Sequence, residues 1–304
     1  KYFDVLALKG QIKCKSSYLF SDPRTRSWLF IAKPYQVLAL IGLYFMFVLK
    51  WGPKWMKHRE PFNIDKLMIV YNAFQIIACL YVLIKSITVA WGWNYRWICE
   101  PVDFSDDPTA VAVTKICYNY FWLKIIDLLD TVFFVLRKKN NQISFLHLYH
   151  HAGMVILIWA AVTYLPGGHG TLVGVINSFV HTVMYSYYLL TVATPSIKNS
   201  LWLKKLVTQL QIVSIYFLVF KTDCQYPRWV AAVFLPQNLF MLVLFTDFYI
   251  KTYILKPKYF LYFLLLLLHC RYKASHTLRR YGKISVSVQI HCRLCYIYLF
   301  NHIK

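Results

Sequence analysis

The stretch SFLHLYHH at residues 144–151 places three histidines, His147, His150 and His151, in a run that is otherwise apolar enough to cross a membrane. Positions i, i+3 and i+4 share one face of a helix, so the three imidazoles can face a common interior. Ionisable groups at membrane depth are costly and usually mark a functional site. The stretch therefore predicts a polar site inside a helical bundle. The alternative, chiefly for His147, is a helix end at the headgroup level.

The composition around this stretch is that of a polytopic membrane protein. Of the 304 residues, 59% are hydrophobic and only 15% are charged, and the mean hydropathy is +0.46. These values exclude a soluble domain. The formal net charge is +22. The charged residues lie between the apolar runs rather than in a basic arm, so nucleic acid is not an expected partner. The charges indicate topology, with membrane lipid headgroups or phosphate as candidate partners.

Seven apolar runs have about the length that the hydrocarbon core of a bilayer requires. We predict an all-α, polytopic membrane protein with seven transmembrane helices, which form one domain at residues 34–254. An N-terminal segment (1–33) precedes this domain and a basic tail (255–304) follows it; the patternless sequence of the tail also fits an error in gene prediction. The apolar runs lie at residues 34–51, 66–90, 113–136, 146–165, 171–193, 201–220 and 229–250.

Lysine and arginine cluster in alternate connections between these runs, and the intervening connections are acidic or nearly uncharged. Basic connections face the cytosol by the positive-inside rule. The N-terminal segment is therefore predicted on the luminal side and the C-terminus in the cytosol, although the basic N-terminal residues, including Arg24 and Arg26, disagree. This orientation puts Cys99 and Cys224 in two connections on the oxidising side. A disulfide between them and two unrelated cysteines are equally open readings.

Two of the apolar runs contain polar residues at helical spacing. The third run contains Lys124, Asp127 and Asp130 at steps of three, followed by Thr131. Lys124 can pair with Asp127, which leaves Asp130 to hold an imidazole; a purely structural ion pair is the alternative. The fifth run contains Asn177, His181, Tyr185 and Tyr188, whose offsets of four, four and three form one polar face. In the sixth run, Thr208 and Gln211 are a weaker signal that interhelical hydrogen bonding alone could explain.

These polar faces predict a site that holds a long apolar chain along the bundle and an anionic head at its cytosolic mouth. For each basic residue at that mouth, a role in topology alone is the alternative. The basic residues are Arg137, Lys138, Lys139, Lys204 and Lys205.

Three chemistries fit clustered intramembrane histidines. A membrane di-iron desaturase or hydroxylase uses more histidines than the four that lie within apolar runs here, so a metal is not expected. A neutral imidazole can instead attack an acyl thioester, with a second imidazole as acid or base. A proton-coupled transporter could use Lys124, Asp127 and Asp130 as a relay, but the sequence lacks the Gly/Pro-interrupted helices that such sites often show.

The chain resembles the very-long-chain fatty acid elongases of the endoplasmic reticulum from about residue 22 to residue 253. The family pattern Lys-x-x-Glu-x-x-Asp-Thr, followed by Leu-Arg-Lys-Lys, corresponds to residues 124–131 and 136–139. The family's histidine box corresponds to residues 147–151, and its Asn-x-x-x-His-x-x-Met-Tyr-x-Tyr-Tyr pattern matches residues 177–188. Cys99 and Cys224 resemble the paired luminal cysteines of the family.

The resemblance implies seven helices around an acyl tunnel, in which an acyl-CoA and malonyl-CoA condense to 3-ketoacyl-CoA, CO2 and CoA. It implies that His150 carries the acyl group, that His181 assists decarboxylation or proton transfer, and that no cofactor is needed. The other enzymes of the elongation cycle are implied partners, and a homo-oligomer is an open alternative. The resemblance assigns orienting roles to His147, His151, Asp130 and Asn177. We further predict substrate binding by the residues of the polar faces and of the basic mouth, namely Lys124, Asp127, Arg137, Lys138, Lys139, Tyr185, Tyr188, Lys204, Lys205 and Gln211.

The sequence departs from the family pattern at three places. Asp127 stands where the family has Glu, Ser214 replaces the second glutamine of a sixth-helix motif, and about five residues are absent before Asp223. Five residues correspond to about 7 Å of helix. An inactive elongase-like protein is therefore an alternative to an active enzyme.

Overall fold

The computed structural model of the chain describes residues 21–97, 99–194, 197, 200–216 and 228–254, and every regular element within these ranges is a helix. The prediction of an all-α protein is therefore confirmed. The helices are α1 (Pro34–Met46), α2 (Gly52–Met56), α3 (Asp65–Ser86), α4 (Pro108–Ile126), α5 (Leu128–Leu136), α6 (Phe145–Tyr164), α7 (Thr171–Ala193), α8 (Leu201–Tyr216) and α9 (Arg228–Tyr249).

Short π-helical turns extend several of these helices. One at Phe47–Trp51 joins α1 to α2, and another at Ile87–Trp91 continues α3. Within the described ranges, three segments are long and apolar enough to cross a membrane, namely Pro34–Met56, Asp65–Trp91 and Phe145–Tyr164. The count of seven transmembrane helices stays a prediction.

The chain divides into two compact units, Lys1–Met241 and Leu242–Lys304. The described part of the second unit is the C-terminal part of α9 and a π-helical turn at Ile250–Ile254. Within it, the Lys251 ammonium pairs with the Asp247 carboxylate at 2.7 Å. The predicted domain boundaries after residues 33 and 254 stay predictions, and the tail from residue 255 lies outside the described residues.

The histidine stretch begins a helix because its first residue caps it. The Ser144 hydroxyl accepts a hydrogen bond from the His147 backbone N–H at 3.2 Å, at the N-terminus of α6. Asp107 caps α4 in the same way by accepting from the Thr109 N–H at 2.9 Å. Such caps satisfy N–H groups that have no partner within the helix. The cap therefore sets the register of the histidine face.

At one end of the first unit, the segment before α1 packs against the connection between α3 and α4. The Asp22 N–H donates to the Thr163 carbonyl at 2.8 Å. The Arg24 guanidinium pairs with Asp22 at 2.7 Å and donates to the carbonyls of Asp103 and Ser105. The Ser105 backbone N–H holds the pKa of Asp103 below its usual value. Arg24 thus bonds partners in both of these segments.

The connection between α6 and α7 closes the same end. The His169 backbone N–H donates to the Glu100 carbonyl at 2.7 Å, and the Trp91 indole N–H donates to the Thr171 hydroxyl at 3.0 Å. Burial lowers the pKa of His169, which favours its neutral form. Gly168 has φ of +63°, and a Cβ there would lie 2.9 Å from the Glu100 carbonyl oxygen. Only glycine fits this close approach without strain.

The basic connections meet at the opposite end. The Phe62 N–H donates to the Leu136 carbonyl at 3.1 Å. The Arg137 guanidinium pairs with the Asp65 carboxylate at 3.1 Å, and Lys138 Nζ lies 3.5 Å from the Lys57 carbonyl. The alternation of basic and acidic connections therefore corresponds to two ends of the bundle. Which end faces the cytosol stays a prediction.

We expect Gly168→Ala to destabilise the protein. The variant must adopt a left-handed backbone and displace the facing backbone, which together cost roughly 1–3 kcal/mol. The midpoint of thermal unfolding in detergent should fall relative to the unmodified chain. Gly42→Ala is the matched control, because a Cβ there meets nothing within 4 Å. Equal midpoints for the two variants would contradict the role of Gly168.

Candidate active site

A buried ion pair lies at the centre of the first unit. Lys124 Nζ is 2.7 Å from Asp127 Oδ2, and the two side chains are only 3% and 4% exposed. The predicted pairing is confirmed. The predicted continuous helix over residues 113–136 is wrong in detail, since α4 ends at Ile126 and α5 begins at Leu128 with Asp127 between them. The Asp127 N–H still bonds the Leu123 carbonyl at 2.8 Å, so the interruption is short.

The two oxygens of the Asp127 carboxylate face different partners. Oδ1 accepts from the Gln75 amide at 2.7 Å and from the Tyr185 hydroxyl at 3.0 Å. Oδ2 accepts from Lys124 and lies 3.6 Å from His181 Nδ1. One carboxylate therefore joins α3, α4 and α7. A buried carboxylate is stable only with such partners.

Among the described residues, Asp130 bonds no imidazole, contrary to the expectation from its spacing. Its Oδ2 accepts from the Tyr185 hydroxyl at 2.8 Å, and the same hydroxyl also reaches Asp127. Helical spacing shows only that Asp127 and Asp130 lie near one face. The position of α7 relative to this face decides that Tyr185 meets Asp130 and that His181 meets Asp127.

The three histidines of the box lie side by side. The ring centroids of His147 and His151 are 4.2 Å apart, and those of His150 and His151 are 5.5 Å apart. His147 Nε2 is 2.8 Å from the Thr131 hydroxyl, which lies 2.8 Å from the Tyr44 hydroxyl. The three rings therefore lie together on α6, and His147 also contacts a partner on α5; a common cavity for the three imidazoles stays a prediction.

The polar face of α7 meets the ion pair. The side-chain oxygen of Asn177 accepts from Lys124 Nζ at 2.9 Å and from the Tyr120 hydroxyl at 2.8 Å. His181 is buried and lies within electrostatic range of His150. The imidazoles of α6 and α7 therefore belong to one polar cluster, which we define as Gln75, Lys124, Asp127, Asp130, His147, His150, His151, Asn177, His181 and Tyr185.

Sequence reasoning missed the contribution of α3. Gln75 and Tyr71 bond the cluster and each other, and the Tyr71 hydroxyl also donates to the Ile126 carbonyl at 3.3 Å. A signal was available, because Asn72 and Gln75 are buried polar residues three apart in an otherwise apolar run. Tyr120 and Tyr44 were also missed, since tyrosines in apolar helices are ordinary packing residues.

Several predicted residues lie away from the cluster. Arg137 pairs with Asp65. Lys138 and Lys139 follow Arg137 in the chain and are exposed. Lys205 is partly buried on α8, and the Lys204 side chain lies outside the described part of the chain. Within the part of the chain that the structure describes, the contacts of Arg137 and Lys138 are to Asp65 and to the Lys57 carbonyl rather than to the imidazoles.

Two further predicted residues contact side chains of α7: Tyr188, which is part of this helix, and Gln211 on α8. The Tyr188 ring centroid is 6.0 Å from that of Tyr185, and the Gln211 amide lies 3.6 Å from the Met184 sulfur. Cys99 is disulfide-bonded. Cys224 lies outside the described residues, so the predicted pairing stays a prediction.

An apolar cavity of about 120 Å³ adjoins the cluster and is partly open to the surroundings. The Tyr120 ring lines this cavity, and its hydroxyl donates to Asn177. The interior thus has a polar part and an apolar part that meet at Tyr120. Other lining residues are Val82, Ala90, Cys117, Ala161, Gly174 and Val230.

Among the described residues, no three His, Cys, Asp or Glu side chains form a group that could hold a metal ion. The polar cluster contains the imidazoles and the Lys124 ammonium beside the carboxylates of Asp127 and Asp130. Such a set can provide a nucleophile, an acid or base, and a fixed charge.

Comparison with known proteins identifies the family of this chain. Residues 29–259 match the ELO family model, described as the GNS1/SUR4 family. The chain is 37% identical to "Very long chain fatty acid elongase 4" of Homo sapiens over 244 residues, covering 78% of this chain and 77% of the relative. It is 38% identical to "Very long chain fatty acid elongase 7" of Rattus norvegicus over 242 residues, covering 77% and 86%. The chain belongs to the very-long-chain fatty acid elongase family.

Family membership assigns this chain to fatty acid elongation in a membrane. The resemblance inferred from the motifs is thus confirmed, and the chain is an enzyme of lipid metabolism. The matched region begins before α1 and extends past α9, so it includes all the helices that form the cluster.

We expect Lys124→Met to destabilise this elongase strongly, because it leaves the buried Asp127 carboxylate without its cation. The expected loss in free energy of unfolding is about 3–5 kcal/mol. The double variant Lys124→Met/Asp127→Leu removes both charges and should recover part of this loss. Thermal unfolding in detergent measures both variants. Strictly additive losses would show that the pair is not coupled.

Proposed function

We propose that this elongase condenses a long-chain acyl-CoA with malonyl-CoA to form 3-ketoacyl-CoA, CO2 and CoA through an acyl-histidine intermediate. The observation that carries the proposal is that the polar cluster, which contains the imidazoles, meets an apolar cavity at Tyr120, whose ring lines the cavity and whose hydroxyl bonds Asn177. A thioester carbonyl at the imidazoles would have its hydrocarbon chain in the cavity. We further propose seven transmembrane helices in the endoplasmic reticulum membrane, with the N-terminus luminal and the C-terminus cytosolic.

In the first step, a neutral nitrogen of His150 attacks the thioester carbonyl of the acyl-CoA. The C–S bond breaks, CoA leaves as a thiol with the proton released by the imidazole, and an acyl-imidazole forms. Acyl-imidazoles are reactive enough to pass the acyl group to a second nucleophile. His151 lies beside both His147 and His150, which supports an orienting role for the two flanking histidines.

In the second step, the carboxylate of malonyl-CoA leaves as CO2 and its electron pair forms an enolate. The enolate carbon attacks the acyl carbonyl on His150, which forms the new C–C bond and breaks the C–N bond. The leaving imidazole takes up one proton, which the net reaction draws from the solvent. His181 acts as the acid or base that accompanies the enolate, since it lies within electrostatic range of His150. Lys124 provides a fixed positive charge, with Asn177 bonded to its ammonium. The scheme uses two CoA thioesters and requires no cofactor.

The CoA moieties would bind outside the polar cluster, where basic side chains can contact their phosphates. Arg137, Lys138, Lys139, Lys204 and Lys205 are proposed for this role. The 3-ketoacyl-CoA product must be reduced before another round of elongation, so the other enzymes of the cycle are proposed partners.

We expect membranes that contain the chain to extend acyl-CoA by two carbons with malonyl-CoA, and His150→Ala to lower this turnover by more than about 10³-fold, as for the loss of a nucleophile. A matched control is His58→Ala, because His58 is exposed on a connection. Peptide mass spectrometry should find the acyl group on His150 when malonyl-CoA is omitted.

Undiminished turnover by the His150→Ala protein would refute the role of His150 as the nucleophile. An absence of product from abundant, membrane-inserted protein would instead favour an inactive elongase-like protein. An oxygen-dependent product with bound iron would identify a di-iron oxidase.

We expect Ala161→Phe to shorten the products, since Ala161 lines the cavity and the added ring would occupy it. Each methylene excluded from the cavity costs about 0.8 kcal/mol, or roughly fourfold in kcat/KM. Ile156→Phe is the control, because Ile156 lies on the same helix and is exposed. The readout is the chain-length distribution of products from a panel of acyl-CoAs. An unchanged distribution would show that this cavity does not hold the acyl chain.

A further inference from the structure

Gln75 is fully buried on α3 and lies outside every motif that the sequence suggests. Its amide nitrogen is 2.7 Å from Asp127 Oδ1, 3.0 Å from the Tyr71 hydroxyl and 3.3 Å from the Tyr185 hydroxyl. The shortest of these contacts is to a carboxylate, and hydrogen bonds to ionised groups are the strongest class. Gln75 therefore acts chiefly on Asp127.

The bond from Gln75 determines which oxygen of Asp127 faces His181. With Oδ1 occupied by Gln75 and Tyr185, Oδ2 is turned toward Lys124 and His181. A carboxylate held at one oxygen cannot rotate about its side chain without losing that bond. Gln75 on α3 thus fixes the orientation of the Asp127 carboxylate, which lies between α4 and α5.

His181 needs the partner that this orientation offers. Its Nδ1 is buried and has no hydrogen-bond partner among the described residues, and it lies 3.6 Å from Asp127 Oδ2. Such contacts in unliganded enzymes often shorten when substrate binds. A buried imidazole nitrogen without a partner is otherwise costly.

We propose that Gln75 is a positioning residue for the reaction. By holding Oδ1 of Asp127, Gln75 keeps Oδ2 in place to accept a hydrogen bond from Nδ1–H of His181. This tautomer leaves Nε2 of His181 to take up the proton that the acylated imidazole of His150 releases and to pass it to the leaving CoA thiolate. The catalytic role of His181 rests on the proposed function; the orientation of the imidazole does not.

The other charged groups near His181 fit this assignment. Lys124 on α4 and His150 on α6 interact electrostatically with His181, in addition to Asp127. Lys124 has donors alone and cannot accept from Nδ1, whereas Asp127 Oδ2 is an acceptor that lies 3.6 Å from this nitrogen. The Tyr185 ring packs edge-on against the His181 ring with centroids 5.6 Å apart, which limits rotation of the imidazole.

The assignment also accounts for the shorter acid in this chain. Asp127 has one methylene fewer than the Glu of the family pattern, so its carboxylate reaches less far from its own helix. The contacts of Gln75 and Tyr185 at Oδ1 hold this shorter side chain in line with His181.

A double-mutant cycle tests whether Gln75 acts through Asp127. We expect Gln75→Met to lower kcat about 10- to 100-fold, the usual effect of losing a hydrogen bond that orients a functional group, with little change in either KM. In the Asp127→Asn protein, the same substitution should lower kcat by less than about twofold. Asn72→Leu is the matched control, because it replaces a buried polar residue on the same helix outside the cluster. Additive effects of Gln75→Met and Asp127→Asn would overturn the proposal.

A second measurement does not depend on elongase activity. In protein labelled with ¹⁵N-histidine, the nitrogen shifts of His181, assigned by comparison with His181→Gln, should show a protonated Nδ1 and an unprotonated Nε2. Gln75→Met should produce a mixture of tautomers, and Asn72→Leu should not. An Nε2-protonated ring in the unmodified protein, or an unchanged ring in Gln75→Met, would overturn the proposal. A chain without turnover that shows the expected shifts would refute the proposed function alone.

Discussion

The buried ion pair between Lys124 and Asp127 is the constraint on which the interior of this protein depends. Two charges removed from water need each other and additional hydrogen-bond partners. Asn177 on α7 supplies a partner for the ammonium, and Gln75 on α3 supplies one for the carboxylate. These bonds require α3, α4 and α7 to adopt one relative position. The pair therefore specifies the packing of the helices as well as the chemistry between them.

The same interior is divided into two environments by a single side chain. Tyr120 presents its ring to an apolar cavity and its hydroxyl to Asn177. A substrate with a reactive carbonyl and a long hydrocarbon chain matches this division, because each part finds its own type of surface. Elongase family membership implies acyl-CoA substrates, and the proposed function assigns their hydrocarbon chain to this cavity.

One departure of this chain from the family pattern, Asp127 in place of Glu, is a single side chain whose contacts the structure describes. Where the family pattern carries Glu, Asp127 lies at the short interruption between α4 and α5, and its Oδ1 is held from α3 and α7. A side chain that is one methylene shorter can keep its contacts if neighbouring helices hold it. The two departures near the end of α8 concern Ser214, whose side chain is not described, and the region before Asp223, which lies outside the described residues.

The sequence by itself determined the helical class, the approximate helix positions and the residues that share each polar face, because helical periodicity is a local property. It therefore placed Lys124 next to Asp127 and grouped the three histidines of α6. Only the tertiary structure decided that Tyr185 meets Asp130, that His181 meets Asp127, and that Gln75 joins them. These contacts cross between helices far apart in the chain, and their partners depend on how each helix is rotated and shifted against the next.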